Sequence, residues 1–210
     1  MADLSRSVLA LALTAGLGGC GLLTRDGRGP TVPEPITPAQ KAIASPDHPD
    51  AAVVAEFNAR LGRYVKTQRA LLKRSPLSAG ATPAEIKAHQ EALASQLRAR
   101  RASARQGDIF TPPVAALFKR LIRPETTGTE GPETRQALRE EDGEFAQVQL
   151  RVNAAWPSSE PLTTVPANIL ANLPQLPTKD VEYRISHTRH LVLRDVDANI
   201  IIDFIFNAIR

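Results

Sequence analysis

From Val54 onwards, Phe57, Leu61, Tyr64, Gln68 and Leu71 follow at alternating steps of three and four, a single stripe that is apolar except for Gln68. That spacing matches the 3.6-residue turn and predicts a helix over Asp50 to Arg74. Ser75-Pro76 and the Gly80 region interrupt it. Thr82-Pro83-Ala84-Glu85 then offers a capping threonine, a proline at the first helical position and a glutamate three after the cap, the signature of a second helix start. Ile86, Leu93 and Leu97 continue an apolar stripe to about Arg105, where Gly107 ends it. The short connection predicts an antiparallel helical hairpin. Thr111-Pro112-Pro113 opens a third, shorter helix carrying Val114, Leu117, Phe118, Leu121 and Ile122, with Pro124 as its stop. Thr126 to Pro132 reads as a loop and Glu133 to Glu141 as a short charged helix.

The period then changes. Val148, Leu150, Val152 and Ala154 alternate with polar residues, as do Val181, Tyr183 and Ile185, which is strand spacing. A short helix fits between Pro166 and Pro174; His187 to Arg189 fits a turn, and Leu191-Val192-Leu193 a returning strand. Residues 199–210 suit either period, and the Ile200-Ile201-Ile202 run favours a strand that turns near Asn207. The predicted class is α+β: an N-terminal antiparallel helical hairpin with short helices, then a small antiparallel sheet.

Ahead of this lies a stretch of another kind. Arg6 in a short polar start is followed by an apolar run from Val8 to Leu17 and then small residues, the layout of an export signal. The run is about half the roughly 20 residues needed to span a bilayer. Leu17-Gly18-Gly19-Cys20 resembles the lipobox of bacterial lipoproteins. The resemblance implies cleavage before Cys20, a lipid on its sulfur and, with Gly21 following, an envelope location at the outer membrane where two membranes exist. Cys20 is the only cysteine, so no internal disulfide forms, and acylation would remove an unpaired thiol. Proline-rich residues 20–49 read as a tether spanning roughly 30 Å. The expected organisation is a signal over 1–19, the tether over 20–49, a basic helical region over 50–124 and a small α/β-meander region over 125–210 that shares one domain with the helices.

Gly107-Asp108-Ile109-Phe110, Arg151-Val152-Asn153-Ala154, the segment from Val165-Pro166 to Pro177, and Glu182-Tyr183-Arg184 through Asp203-Phe204-Ile205 resemble a family of exported bacterial proteins with no assigned activity. The resemblance implies a folded domain after the tether and no particular chemistry.

Charge sharpens the picture. The net charge of +4 conceals a segregation: residues 60–123 hold 14 lysines and arginines against Glu85, Glu91 and Asp108, whereas residues 124–210 hold 8 basic and 13 acidic residues. A basic helical face suits either plain solvation or attraction to an anionic envelope surface or another envelope protein. Arg98, Arg101 and Arg105, three and four apart, form the candidate contact face. Export makes nucleic acid a poor partner, and an aromatic content of 4% argues against a base-stacking surface.

No motif specifies a reaction, a cofactor or a metal. Asp195-Val196-Asp197-Ala198-Asn199 opens like a calcium loop, but Ile200 replaces the glycine of the sharp turn and Phe206 the closing carboxylate, so an acidic turn is expected. His187 and His190 lack a third ligand in their neighbourhood of the sequence. His89 reads as a hydrogen-bonded histidine beside the helical stripe. Asp203, a carboxylate inside an apolar run, must face water or find a partner, with Arg184 and Arg194 as candidates. The sequence therefore favours a non-catalytic, lipid-anchored binding or structural module. The alternative is a small envelope hydrolase using Asp203 and a nearby histidine at the sheet.

Overall fold

The computed structural model describes residues 35–142 and 149–209. Helix α1 (Pro38–Ile43) opens with a capping box, the Thr37 hydroxyl accepting from the Gln40 amide while the Gln40 side chain accepts from the Thr37 amide. Helix α2 (Ala51–Arg74) buries Val54, Phe57, Leu61, Tyr64, Gln68 and Leu71, the stripe read from the sequence, together with Val65. Helix α3 (Pro83–Arg100) starts at the predicted box of Thr82 and Glu85 and packs on α2, completing the hairpin. Helices α4 (Pro112–Thr127), α5 (Gly131–Asp142) and α6 (Ala167–Asn172) follow. Strands β1 (Val181–Ser186), β2 (His190–Asp195) and β3 (Ile200–Ile205) form an antiparallel meander in sequence order. The class is α+β.

One face of the sheet packs on the helices. Tyr183, Ile185, Leu191, Leu193, Ile200 and Ile202 share a core with Phe57, Leu61, Leu97 and Phe118. Phe118 touches Phe57 and Phe110 with ring centroids 5.1 Å away and Tyr183 at 5.9 Å. Truncating such a wholly buried ring costs about 3–5 kcal/mol. The second face, carrying Val192, Ile201 and Phe204, is covered by Leu150, Val152 and Trp156.

That cover explains a departure from the expected strand near Leu150. Residues 149–156 contain no strand, only a bridge between Ala155 and Ile200. The segment still satisfies the open edge of β3: the Asn153 amide donates to Ile201 O, the Ile201 amide to Ala154 O and the Trp156 amide to Asn199 O. Asn153 at φ 65° turns the chain out of the extended region, and Pro157 lacks an amide to continue the ladder. Val148 lies outside the described residues.

Two boundaries also move, and one residue of the expected stripe stays out of the core. Pro124 sits inside α4, which runs on to Thr127; a proline removes one helical hydrogen bond, and the Thr126 and Thr127 hydroxyls donate to Arg123 O one turn later. The tether gives way to structure by Thr37, whose hydroxyl donates to Ala171 O, while Gln40 Nε2 donates to the Leu170 and Leu173 carbonyls. Ile86 is 45% exposed, since α3 buries only Leu93, Ala94 and Leu97. The export signal, Cys20 and the first part of the tether lie outside the described residues. Among the described residues no helix is long and apolar enough to cross a membrane.

Candidate functional site

The conspicuous polar groups of the interior lie between the sheet and the helices. Asp203 is fully buried. The register between β2 and β3 pairs Leu193 with Asp203 and Arg194 with Ile201, so Ile202 is an extra residue in a bulge. A bulge breaks the alternation of faces and re-aims a side chain. Here it sends Asp203 towards the helices, on the same side as Ile202. Its Oδ1 accepts from the Gly107 amide at 2.9 Å and the Phe204 amide at 2.8 Å; Oδ2 accepts from Ile109 and Phe110, each at 2.8 Å. Gly107 contributes the turn, at φ 89°. Burial pushes the carboxyl up from its ordinary pKa, and the amides of Gly107, Phe110, Ile109 and Phe204 pull it back. Asp203 thus fastens the loop before α4 to the sheet. Arg184 and Arg194, its expected partners, instead pair with Glu182 at 2.7 and 2.5 Å, and Arg194 also donates to Asn199 Oδ1.

Asp195 repeats the arrangement at the end of β2. Tyr64 Oη donates to its Oδ2 at 2.5 Å and the Ala198 amide to its Oδ1 at 2.7 Å. Burial raises the Asp195 pKa, against the hydrogen bonds from Tyr64 and Ala198. Tyr64 is also raised, by burial first and then by Asp195. The aspartate-rich segment is therefore a turn closed by its own carboxylate, as expected, and among the described residues no group of three acidic, histidine or cysteine side chains is placed to hold a metal.

Arg101 stands between these carboxylates. Its guanidinium lies 4.9 Å from the centre of the Tyr64 ring, donates from Nη1 to Asn153 Oδ1 at 2.8 Å and from Nη2 to Ile202 O at 3.0 Å. Asn153 Nδ2 returns a bond to Arg101 O. Burial lowers the Arg101 pKa, opposed by Tyr64, Asp203, Asp108 and Asp195. Arg98 Nε donates to Asn153 O at 2.8 Å. Helix α3 ends at Arg100, so Arg105 falls outside it and the three arginines do not share a helical face. The expected contact face is corrected on this point: Arg98 and Arg101 turn to the sheet segment, while Arg105 is exposed and its amide donates to Asp108.

An exposed basic face does exist, on α2. Arg63, Lys66, Arg69, Lys73 and Arg74 are all exposed, and none belongs to a salt bridge among the described residues. Glu56 is the only acid of α2 and is paired with Arg60. The pattern was present in the sequence as basic residues at the positions the buried stripe leaves free. The denser arginine run at the end of α3 masked it.

The histidines have structural partners. His89 Nε2 is 2.7 Å from Ser75 O, joining the two arms of the hairpin. His190 Nδ1 accepts from the Asn207 amide at 3.1 Å, and its ring packs edge-on against Phe206. Burial first, then Arg189 and His187, lowers its pKa to about 4. No protein-family model, curated protein or solved structure matches this chain.

Proposed function

We propose that this chain is a non-catalytic envelope module, anchored by lipid on Cys20, that rests on an anionic lipid surface through the solvent face of α2. The observation that carries the reading is the row Arg63, Lys66, Arg69, Lys73 and Arg74, exposed and without salt bridges among the described residues. Each such cation near an anionic leaflet contributes about 1 kcal/mol, and the attraction fades within a Debye length of about 8–10 Å. A tether of roughly 30 Å beginning in the bilayer keeps the domain beside the surface and lets it reach that range. Asp203, the residue on which a hydrolase would rest, supports the non-catalytic reading because its carboxylate oxygens are engaged by backbone amides.

Vesicle co-sedimentation tests this. The full chain carrying Cys20→Ala is expected to pellet with vesicles containing anionic phospholipid and to stay in solution with zwitterionic ones. Adding Lys66→Glu and Lys73→Glu is expected to release it while leaving stability within about 0.5 kcal/mol per substitution, as for exposed positions. Undiminished capture of that variant would remove α2 as the contact. Capture by an acidic polymer but not by anionic vesicles would replace lipid as the partner.

A further inference from the structure

In the acidic half of the sequence, three arginines converge on one groove. Arg135 and Arg139 sit one turn apart on α5, and Arg189 is the last residue of the β1–β2 turn; with Thr188, Leu138 and Ile209 they line a groove of about 160 Å³. Arg139 and Arg189 are exposed, whereas Leu138 and Ile209 are buried and give the groove an apolar floor. Arg135 Nη1 donates to Thr126 O, which fixes one guanidinium at the groove. The Ile209 amide donates to Arg189 O, tying the segment after β3 to the same turn. No salt bridge among the described residues includes any of the three arginines.

Like charges one turn apart on a helix destabilise it by a few tenths of a kcal/mol, and a third guanidinium across the groove adds to the repulsion. An anion removes that cost and gains charge-assisted hydrogen bonds. A lone carboxylate is satisfied by one guanidinium fork, whereas a phosphate offers more oxygens and up to two charges to several arginines. The groove is smaller than the roughly 300–1,000 Å³ of sites for drug-sized molecules. It suits a phosphate with a short apolar attachment over Leu138 and Ile209.

We propose that the groove between α5 and the β1–β2 turn is a binding site for a phosphate group, with Arg139 and Arg189 as its principal ligands and Arg135 as a fixed flank. The site is separate from the α2 face, and neither reading depends on the other.

Thermal unfolding of the full-length Cys20→Ala chain with inorganic phosphate, against sodium chloride at equal ionic strength, provides the test. Phosphate is expected to raise Tm in this chain, because a ligand that binds only the folded state stabilises it. Adding Arg139→Gln or Arg189→Gln is expected to weaken phosphate binding about tenfold, the loss of one charge-assisted hydrogen bond, and to remove most of the Tm rise. Either variant should keep or slightly raise Tm in chloride, since one repelling charge has gone; that distinguishes a lost ligand from a lost fold. Equal phosphate shifts in parent and variants, or no shift in the parent, would overturn the proposal. A short-chain, water-soluble phosphatidic acid identifies the source. Binding about tenfold tighter than inorganic phosphate would mark a lipid phosphate using Leu138 and Ile209, and equal binding would mark a free one.

Discussion

At the scale of single residues, the interior is organised by carboxylates that accept backbone amides. Asp203 is the clearest case, and its oddness was legible: a charge in an apolar run must have a reason. Its partners were not legible, because a bulge at Ile202 decides which face it takes and three of the four amides it binds are more than 90 positions away. Asp203→Ala would leave the Gly107, Ile109 and Phe110 amides without their acceptor, at about 1–3 kcal/mol for each buried donor. A loss of about 4 kcal/mol in urea unfolding is expected; a loss under about 1 kcal/mol would show that the loop holds its shape without the carboxylate. His190 gives a pH dependence. Its folded pKa, about 4, is below the ordinary histidine value of 6.5, so the folded state resists the proton. Stability from this group is therefore complete above about 6.5 and is lost as pH falls towards 4. The geometry agrees in sign, since protonating Nδ1 would end its acceptance from Asn207. His190→Asn keeps an acceptor that does not titrate. It is expected to flatten the fall in unfolding free energy between about pH 6.5 and 4, and an unchanged fall would assign it to other groups.

At the scale of elements, the sequence was readable wherever a period ran uninterrupted and chemistry marked the ends. The α2 stripe, the Thr82–Glu85 box and the β1–β2 hairpin all meet that condition. Reading failed where long-range contacts outweighed local pattern. Helix α1 is only 6 residues long and owes its place to Thr37 and Gln40 bonding the α6 carbonyls. The 149–156 segment has strand spacing but turns at Asn153, whose side chain serves Arg101. The arginines at the end of α3 misled for a related reason: three-and-four spacing implies one face only while the helix lasts. Arg101 and Arg105 should therefore behave oppositely. Arg101→Ala removes the bonds to Asn153 and Ile202 and uncovers Tyr64, and is expected to cost about 2–4 kcal/mol. Arg105→Ala, at an exposed position, is expected to change stability by less than about 0.5 kcal/mol. Equal effects in denaturant unfolding would contradict the assignment of Arg101 as the tie between α3 and the sheet.

At the scale of the whole molecule, the segregation of charge and the expected lipid on Cys20 act over different distances and respond differently to salt. Acyl chains are held by apolar burial at about 0.8 kcal/mol per buried methylene, a term that screening does not touch. The α2 cations act by Coulomb attraction, which weakens as the Debye length contracts from about 10 Å at 0.1 M to about 3 Å at 1 M. The two can be separated in cells by fractionating the intact chain and its Cys20→Ala variant through a salt series. The intact chain is expected to remain with membranes at 1 M salt, whereas Cys20→Ala should associate at low salt and be released as salt rises. Introducing Lys66→Glu and Lys73→Glu into the Cys20→Ala chain should then abolish association even at low salt, because no attraction remains to be screened. Release of the intact chain by salt would mean that Cys20 carries no lipid able to hold it. Complete solubility of the Cys20→Ala chain at low salt would mean that the α2 face is merely solvated. The sequence alone could state both ideas but could not divide the work between them, because which arginines are consumed inside the fold is decided only when α3 ends and Arg101 meets the sheet.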